Sequence, residues 1–412
     1  MNNIYLLEKN RCTGCQSCSK ICPHHCIEMK ENQEGFWYPN IDLTQCTNCG
    51  VCVVRCPILT PPEKSTYKQK AFGLILKDSS VLEKSASGGA FAGIACQVLQ
   101  EGGFVFGAAY DENLVVEHIG ISSQDKLYKL QGSKYVAGNV KDSYLQVQDL
   151  LKNGKKVLYS GLPCQIAGLK AFLNREYENF ITIDLICHGV PSQKLFSRYL
   201  AWLGKRTGGR ILYYGFRDKD VAGWSCGGKF KTKTKTKTKT KTKTKTKTKT
   251  KTKTKTMEAA CDPYYASFIR GETYRESCYN CQFATMERVG DLTIGDFWGV
   301  EHFYPAVQRK NGVSVVLVNT SRGKECFQKL DGCWESFTCT VDEVRKFNTN
   351  LNHPTIRPTV RDVIYEGIDE QNDIAFFKKF VYVNPVYLKT RRFVTSILPT
   401  TLKTTIKRCL KK

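Results

Sequence analysis

A chain of 412 residues with 41 % hydrophobic content is long enough for two or three domains with buried cores. Nine of its 20 cysteines fall in the first 56 residues at metal-ligand spacing and the rest are scattered, which argues against a secreted disulfide scaffold and for a reducing compartment. The net charge of +24 is no nucleic-acid footprint: a Lys-Thr repeat at 231–256 supplies thirteen of those charges, leaving +11 (24 − 13), and no recognition motif accompanies them.

The N-terminal MNNIYLLEKNRC has no apolar h-region, and no run reaches about 18 apolar residues, so a cytoplasmic protein without a membrane span is expected. Cys12, Cys15, Cys18 and Cys22 then stand at C-x2-C-x2-C-x3-C-P spacing, and Cys46, Cys49, Cys52 and Cys56 repeat it. This is the bacterial ferredoxin arrangement for two [4Fe–4S] clusters, in which the fourth cysteine of each run crosses to the other cluster. Cys12, Cys15, Cys18 and Cys56 are thus expected around one cluster, and Cys46, Cys49, Cys52 and Cys22 around the other. Gly14 and Gly50 let the loop backbone approach a cluster, and Pro23 and Pro57 stop continuation of regular structure. Cys26 lies outside the pattern and reads as a small buried residue. Residues 1–60 therefore read as an α+β ferredoxin-like two-cluster module, and 61–70, opening on Pro61-Pro62, as a linker.

From 71 to 330 strands and helices alternate. Apolar strand runs lie at 71–76, 104–110, 115–121, 157–161 and 180–187, with helical patterns ending at Gly102-Gly103 and over 141–152 and 164–173. This order predicts an α/β domain. Small-residue turns at 85–89, 132–135 and 161–165 fall where strand ends meet helix starts, the edge at which open α/β sheets bind ligands. Ser87, Gly88, Gly89, Gly132, Ser133, Lys134 and Tyr135 are the candidate cofactor-binding residues, because such turns present free N–H groups to a phosphate or flavin edge. No G-x-G and no Walker A run occurs, so any flavin or nucleotide is held in another way. The Lys-Thr run would span roughly 85 Å if extended and has nothing apolar to bury; it reads as a disordered insertion in a hairpin loop.

As a set, SGGAFAG, LQGSKYVAG, GLPCQIAGLK, DLICHGVPS, RESCYNCQFA and DLTIGDFWG resemble the β-subunit family of coenzyme F420 hydrogenases and dehydrogenases, over residues 1–310. The resemblance implies an iron–sulfur flavoprotein, with FAD on an α/β flavin-binding domain fed by clusters. It also implies a role for Cys164, Cys187, Cys278 and Cys281 as ligands of a third [4Fe–4S] cluster. A structural zinc, a reactive Cys164 thiol and replacement of one ligand by Cys261 stay open. The implied electron carrier is ferredoxin, another redox protein, coenzyme F420 or another deazaflavin, and a partner redox subunit is compatible with the same wiring. Lys134 can pair with a phosphate or an acidic deazaflavin tail, or be solvated. His188 is a candidate proton donor beside the flavin, against the plain reading of a satisfied loop histidine. Asp291 and Asp296 read as turn and strand-end residues.

Residues 331–412 read as a C-terminal extension, ten Lys or Arg and no acid falling in 374–412. A helix over 399–412 would align Leu402, Ile406 and Leu410 beside Lys403, Lys407 and Lys411, which suits an anionic membrane surface or acidic partner as well as plain docking. Three functions fit: an electron-relaying flavoenzyme, a non-catalytic electron-transfer subunit, and a flavin-free iron–sulfur sensor.

Overall fold

A computed structural model describes residues 2–63, 65–239 and 246–383; the expected basic helix at 399–412 lies outside the described residues. In the N-terminal module, short helices Ser17–Ile21 and Val51–Val54 carry Cys18 and Cys52. Each starts after a left-handed residue, Gln16 (φ 66°) and Gly50 (φ 76°), which folds the preceding cysteine loop back on itself. β1 (Ile27–Glu31) and β2 (Trp37–Ile41) pair antiparallel between the two runs. The module is too small for an apolar core of its own, and its cysteines fill that role: Cys18, Cys22, Cys52 and Cys56 pack with Ile4, Ile27, Ile41 and Ile58. Ala167 and Phe283 of the larger domain belong to the same cluster, so the module is docked rather than tethered.

The larger domain is mixed α/β. Its strands are β3 (Lys70–Leu76), β4 (Phe104–Tyr110), β5 (Val116–Ile121), β6 (Val157–Gly161), β7 (Phe180–Leu185), β8 (Arg210–Gly215), β9 (Gly227–Lys239), β10 (Thr246–Glu258), β11 (Leu292–Asp296), β12 (Ser314–Val318) and β13 (Trp334–Cys339). Eight form one sheet in the order β13-β3-β12-β11-β7-β6-β4-β5. The central β11, β7, β6 and β4 run parallel and the flanking strands antiparallel. β6 and β12 are buried at every position, as continuous apolar runs predict for strands covered on both faces. β13 pairs with β3 from beyond residue 330, so the sheet reaches into the segment expected to be an extension.

β8, β9 and β10 form a second sheet. Here the expectation of a disordered insertion is corrected: the described residues of the Lys-Thr run, 231–239 and 246–256, are strand. The hairpin register sets Lys opposite Thr, from Thr246↔Lys239 to Thr254↔Lys231. The ladder grows from an anchored base, where Phe230 is buried.

The C-terminal helices return to the N-terminal module. Arg361 forks onto Glu34 (2.7 and 2.9 Å) and donates to the Tyr274 carbonyl (2.9 Å). Arg275 donates to the carbonyls of Cys12 (2.6 Å) and Trp37 (2.9 Å). These guanidiniums fix the module against the loop that carries Cys278.

Candidate redox centre

The structure gathers the eight N-terminal cysteines into two neighbourhoods. Cys12, Cys15, Cys18 and Cys56 lie within electrostatic reach of one another. Cys22, Cys49 and Cys52 form the second group, and Cys46 joins it beside Cys26. Burial pushes the Cys15 thiol up to about 12 and raises Cys18, Cys52 and Cys56, so their thiolates need a cationic partner. Cys49 is exposed and marks the face nearest solvent. Cys26 is buried, its Sγ 3.4 Å from that of Cys22.

Cys164, Cys187, Cys278 and Cys281 come from three chain segments and line one cavity of about 60 Å³. Cys164 sits in the first turn of the helix Pro163–Leu173, which begins at the end of β6. Pro163 presets that turn, and the Gln165 side chain accepts the Leu162 N–H at 3.0 Å. Cys187 follows the end of β7. The loop with Cys278 and Cys281 is held by a buried ion pair, Arg288 to Asp184 at 2.8 Å. Arg288 also donates to the Phe283 and Thr285 carbonyls (3.0 and 3.1 Å), and Asp184 accepts the N–H groups of Val289 and Gly290 (3.1 and 2.8 Å). Burial pushes Cys278 up to about 12 and raises the other three. Arg275 and Arg361 beside Cys278, and Arg288 beside Cys187 and Cys281, oppose that shift. Four thiols ringed by guanidiniums suit an anionic four-thiolate group. Cys261 lies elsewhere, in the turn Ala259–Cys261 after β10.

The helix Pro163–Leu173 also links the four-thiol cavity to the N-terminal module at Cys15. A Cβ on Gly168 would stand 2.8 Å from Cys15 Cβ and 2.9 Å from its Sγ. Gly168→Ala is expected to cost about 1–3 kcal/mol by overpacking and to speed chelator removal of iron from the module; equal melting temperature and chelation rate would refute the close approach.

A second cavity, about 280 Å³, opens where the parallel strands end. Ser87, Gly89, Gly132, Ser133, Lys134, Tyr135 and His188 line it. Gly88 is set apart from the lining: its Cα faces backbone, and a Cβ there would lie 2.3 Å from Leu74 O and 2.4 Å from Ser314 N. The two cavities share a wall that includes Leu162, Gln165, Cys187 and His188. His188 is exposed to these voids although protein surrounds it; burial lowers its pKa, opposed by Asp296 and a hydrogen bond with Asn350.

Several contributors carry no sequence motif. Asp296 accepts from Arg217 (2.9 Å) and from Trp224 Nε1 (2.7 Å), and Trp224 stacks on Trp298 at 5.1 Å. Lys219 donates to the carbonyls of Leu82 (2.6 Å) and Ser87 (2.9 Å). Segment 217–224 thereby clamps the 85–89 turn to the end of β11. Asn348 comes from the C-terminal extension, and His118 from β5; both line the larger cavity. Asp291 instead ties Thr182 (2.6 and 2.8 Å) to Thr320 (2.8 Å) within the fold.

Paired ferredoxin-type cysteine runs docked on a mixed α/β domain define an iron–sulfur protein of the electron-transfer type. Residues 154–336 match the family defined by the C-terminal part of the coenzyme F420 hydrogenase/dehydrogenase beta subunit, and residues 11–58 match the 4Fe-4S dicluster domain. The chain thus joins a [4Fe–4S] dicluster domain to a region of the kind found at the C terminus of coenzyme F420 hydrogenase/dehydrogenase beta subunits.

Pyruvate synthase subunit PorD of Methanothermobacter marburgensis is 36 % identical over 52 residues, 13 % of this chain and 54 % of that protein. An uncharacterized ferredoxin of Methanocaldococcus jannaschii is 28 % identical over 72 residues, 16 % of this chain and 92 % of that protein. NADH-quinone oxidoreductase subunit I 2 of Geobacter metallireducens is 40 % identical over 86 residues, 18 % of this chain and 64 % of that protein. The chain thus spans about half the length of the first of these relatives. A solved chain of the F420-reducing [NiFe] hydrogenase complex from Methanosarcina barkeri superposes with a TM-score of 0.43 at 16 % identity, covering 78 % of this chain and 97 % of that chain. Among the described residues no helix is long and apolar enough to cross a membrane.

Proposed function

We propose that the chain is a flavin-bearing iron–sulfur oxidoreductase that relays electrons between a low-potential carrier, ferredoxin or an F420-like deazaflavin, and a substrate or partner subunit. The shared wall of the two cavities carries this reading: Cys187 and His188 border both the four-thiol cavity and the cavity lined by the small-residue turns. Bound clusters supply one-electron carriage, and bound FAD couples it to two-electron chemistry.

The chain's residues divide the work. Cys12, Cys15, Cys18 and Cys56 hold one cluster, and Cys22, Cys46, Cys49 and Cys52 the other. Cys164, Cys187, Cys278 and Cys281 hold a third. A structural zinc would use the same four thiolates, and the iron count below separates the two. Four thiols lining one cavity supply the ligand number a cubane takes. Ser87, Gly89, Gly132, Ser133, Lys134 and Tyr135 enclose the flavin, Gly88 lets its turn pack on β3 and β12, and His188 holds a proton at the shared wall.

A second reading, an electron-transfer subunit whose substrate site lies on a partner chain, is favoured by the names of two relatives, both subunits of larger enzymes. Anaerobic purification is expected to give about twelve irons and one flavin per chain. About eight irons would remove the third cluster, and absence of flavin after anaerobic reconstitution would sink the flavoprotein reading. Flavin without turnover on reduced ferredoxin or a deazaflavin would select the second reading.

A further inference from the structure

We infer that His118 and Lys134 form the polar corner that receives the carbonyl edge of the ring bound in the larger cavity, and that they set that ring's reduction potential. This rests on the flavin reading above and adds to it a residue that no motif marks.

His118 is 5 % exposed and lines the cavity. Its ring lies parallel to that of Tyr159, centroids 5.4 Å apart, which fixes its plane. Both ring nitrogens are buried and neither has a hydrogen-bond partner. The Asn139 and Ser160 carbonyls approach the ring without closing a bond. Burial holds the imidazole down to about 4, so at neutral pH it keeps one N–H donor and one acceptor. A buried imidazole with both nitrogens idle is unfavourable, and the cavity it lines is where a partner fits.

Lys134 lines the same cavity and lies close enough to act on His118 electrostatically. Its Nζ donates to the carbonyls of Lys129 (3.0 Å) and Gln131 (2.9 Å), which leaves a third N–H. Burial brings it down to about 7, so a negative neighbour would hold it charged. The ligand this corner suits is a planar heterocycle whose carbonyl edge becomes negative on reduction. An isoalloxazine that takes two electrons from reduced ferredoxin and one proton carries one negative charge, spread over N1 and the C2 carbonyl. The Lys134 ammonium balances that charge, and His118 donates to the same edge.

The test uses the full-length, iron-loaded protein stripped of flavin. FAD binding is followed by fluorescence quenching, and the flavin potential by dye equilibration. Lys134→Met is expected to weaken the hold on reduced relative to oxidised flavin about tenfold, a potential about 30 mV lower. His118→Phe keeps a ring against Tyr159 and is expected to raise the Kd for FAD about tenfold, with His118→Gln recovering part of the loss. Unchanged iron content and melting temperature certify the fold of each variant. Wild-type Kd and potential in both Lys134→Met and His118→Phe would overturn this inference alone. Failure of the wild-type protein to bind FAD would overturn the flavin reading and this inference with it.

Discussion

Cys278→Ala is expected to remove about four irons per chain and to leave the iron of the N-terminal module in place. Cys278 lines the four-thiol cavity with Cys164, Cys187 and Cys281, while the eight module cysteines sit in separate neighbourhoods. The loss is therefore confined to one centre. Its consequence for electron flow is larger than its consequence for stability. The four-thiol cavity adjoins the helix Pro163–Leu173 on which Cys15 packs, and shares its other wall with the larger cavity. Reduction of bound flavin by reduced ferredoxin is expected to fall to background in the variant. Direct reduction of the same flavin by a small chemical reductant is expected to persist, because the larger cavity is untouched. Iron assay, spin quantitation of the reduced protein and stopped-flow flavin bleaching check the three parts. An iron count equal to wild type would remove the third cluster from the proposal.

What could be read in the sequence follows from how local each signal is. The N-terminal runs place three thiols on one loop, so spacing alone names the chemistry and points to the expected ligands. Alternating apolar strands and helices likewise announced a mixed α/β domain. The set of Cys164, Cys187, Cys278 and Cys281 spans more than a hundred residues, and only the order of β6, β7 and the loop before β11 brings it together. Without a family resemblance, no spacing rule reaches that far. His118 left one faint mark, a polar residue on the same strand face as buried Val116. Asp296 reads as a strand end because its partners Arg217 and Trp224 lie more than seventy residues upstream. Asn350, Arg357 and Arg361 lie in a segment without motif, yet Arg361 joins Glu34 of the first domain to the loop of Cys278. The Lys-Thr run is the opposite case: its repetition reads as an unstructured insertion, whereas residues 231–239 and 246–254 pair as a hairpin with Lys opposite Thr.

Asp184→Ala is expected to be the most destabilising single change in the larger domain. Asp184 and Arg288 are 0 % and 1 % exposed at their side chains and meet at 2.8 Å. Removing one member of such a pair strands the other charge without water, at a cost of about 3–5 kcal/mol. At about 2–4 °C per kcal/mol for domains of this size, the melting temperature should fall by roughly 10 °C. The same change strips the Val289 and Gly290 N–H groups of their acceptor and loosens the segment behind Cys281. Iron held by Cys281 should then become accessible to chelator at temperatures where the sheet is still folded. Arg288→Lys separates charge from geometry. It keeps the cation but cannot donate at once to Asp184, Phe283, Thr285 and Leu185 as the guanidinium does. If charge alone mattered, Arg288→Lys would melt like wild type; if the fork holds the loop, it should release third-centre iron while losing less stability than Asp184→Ala. The double change Asp184→Leu with Arg288→Met removes both charges together and should recover stability relative to Asp184→Ala. It should not recover iron retention, because the carbonyls and N–H groups of the loop stay without their partners. That split between melting temperature and iron retention is what a fork that holds the ligand loop predicts and a simple packing defect does not.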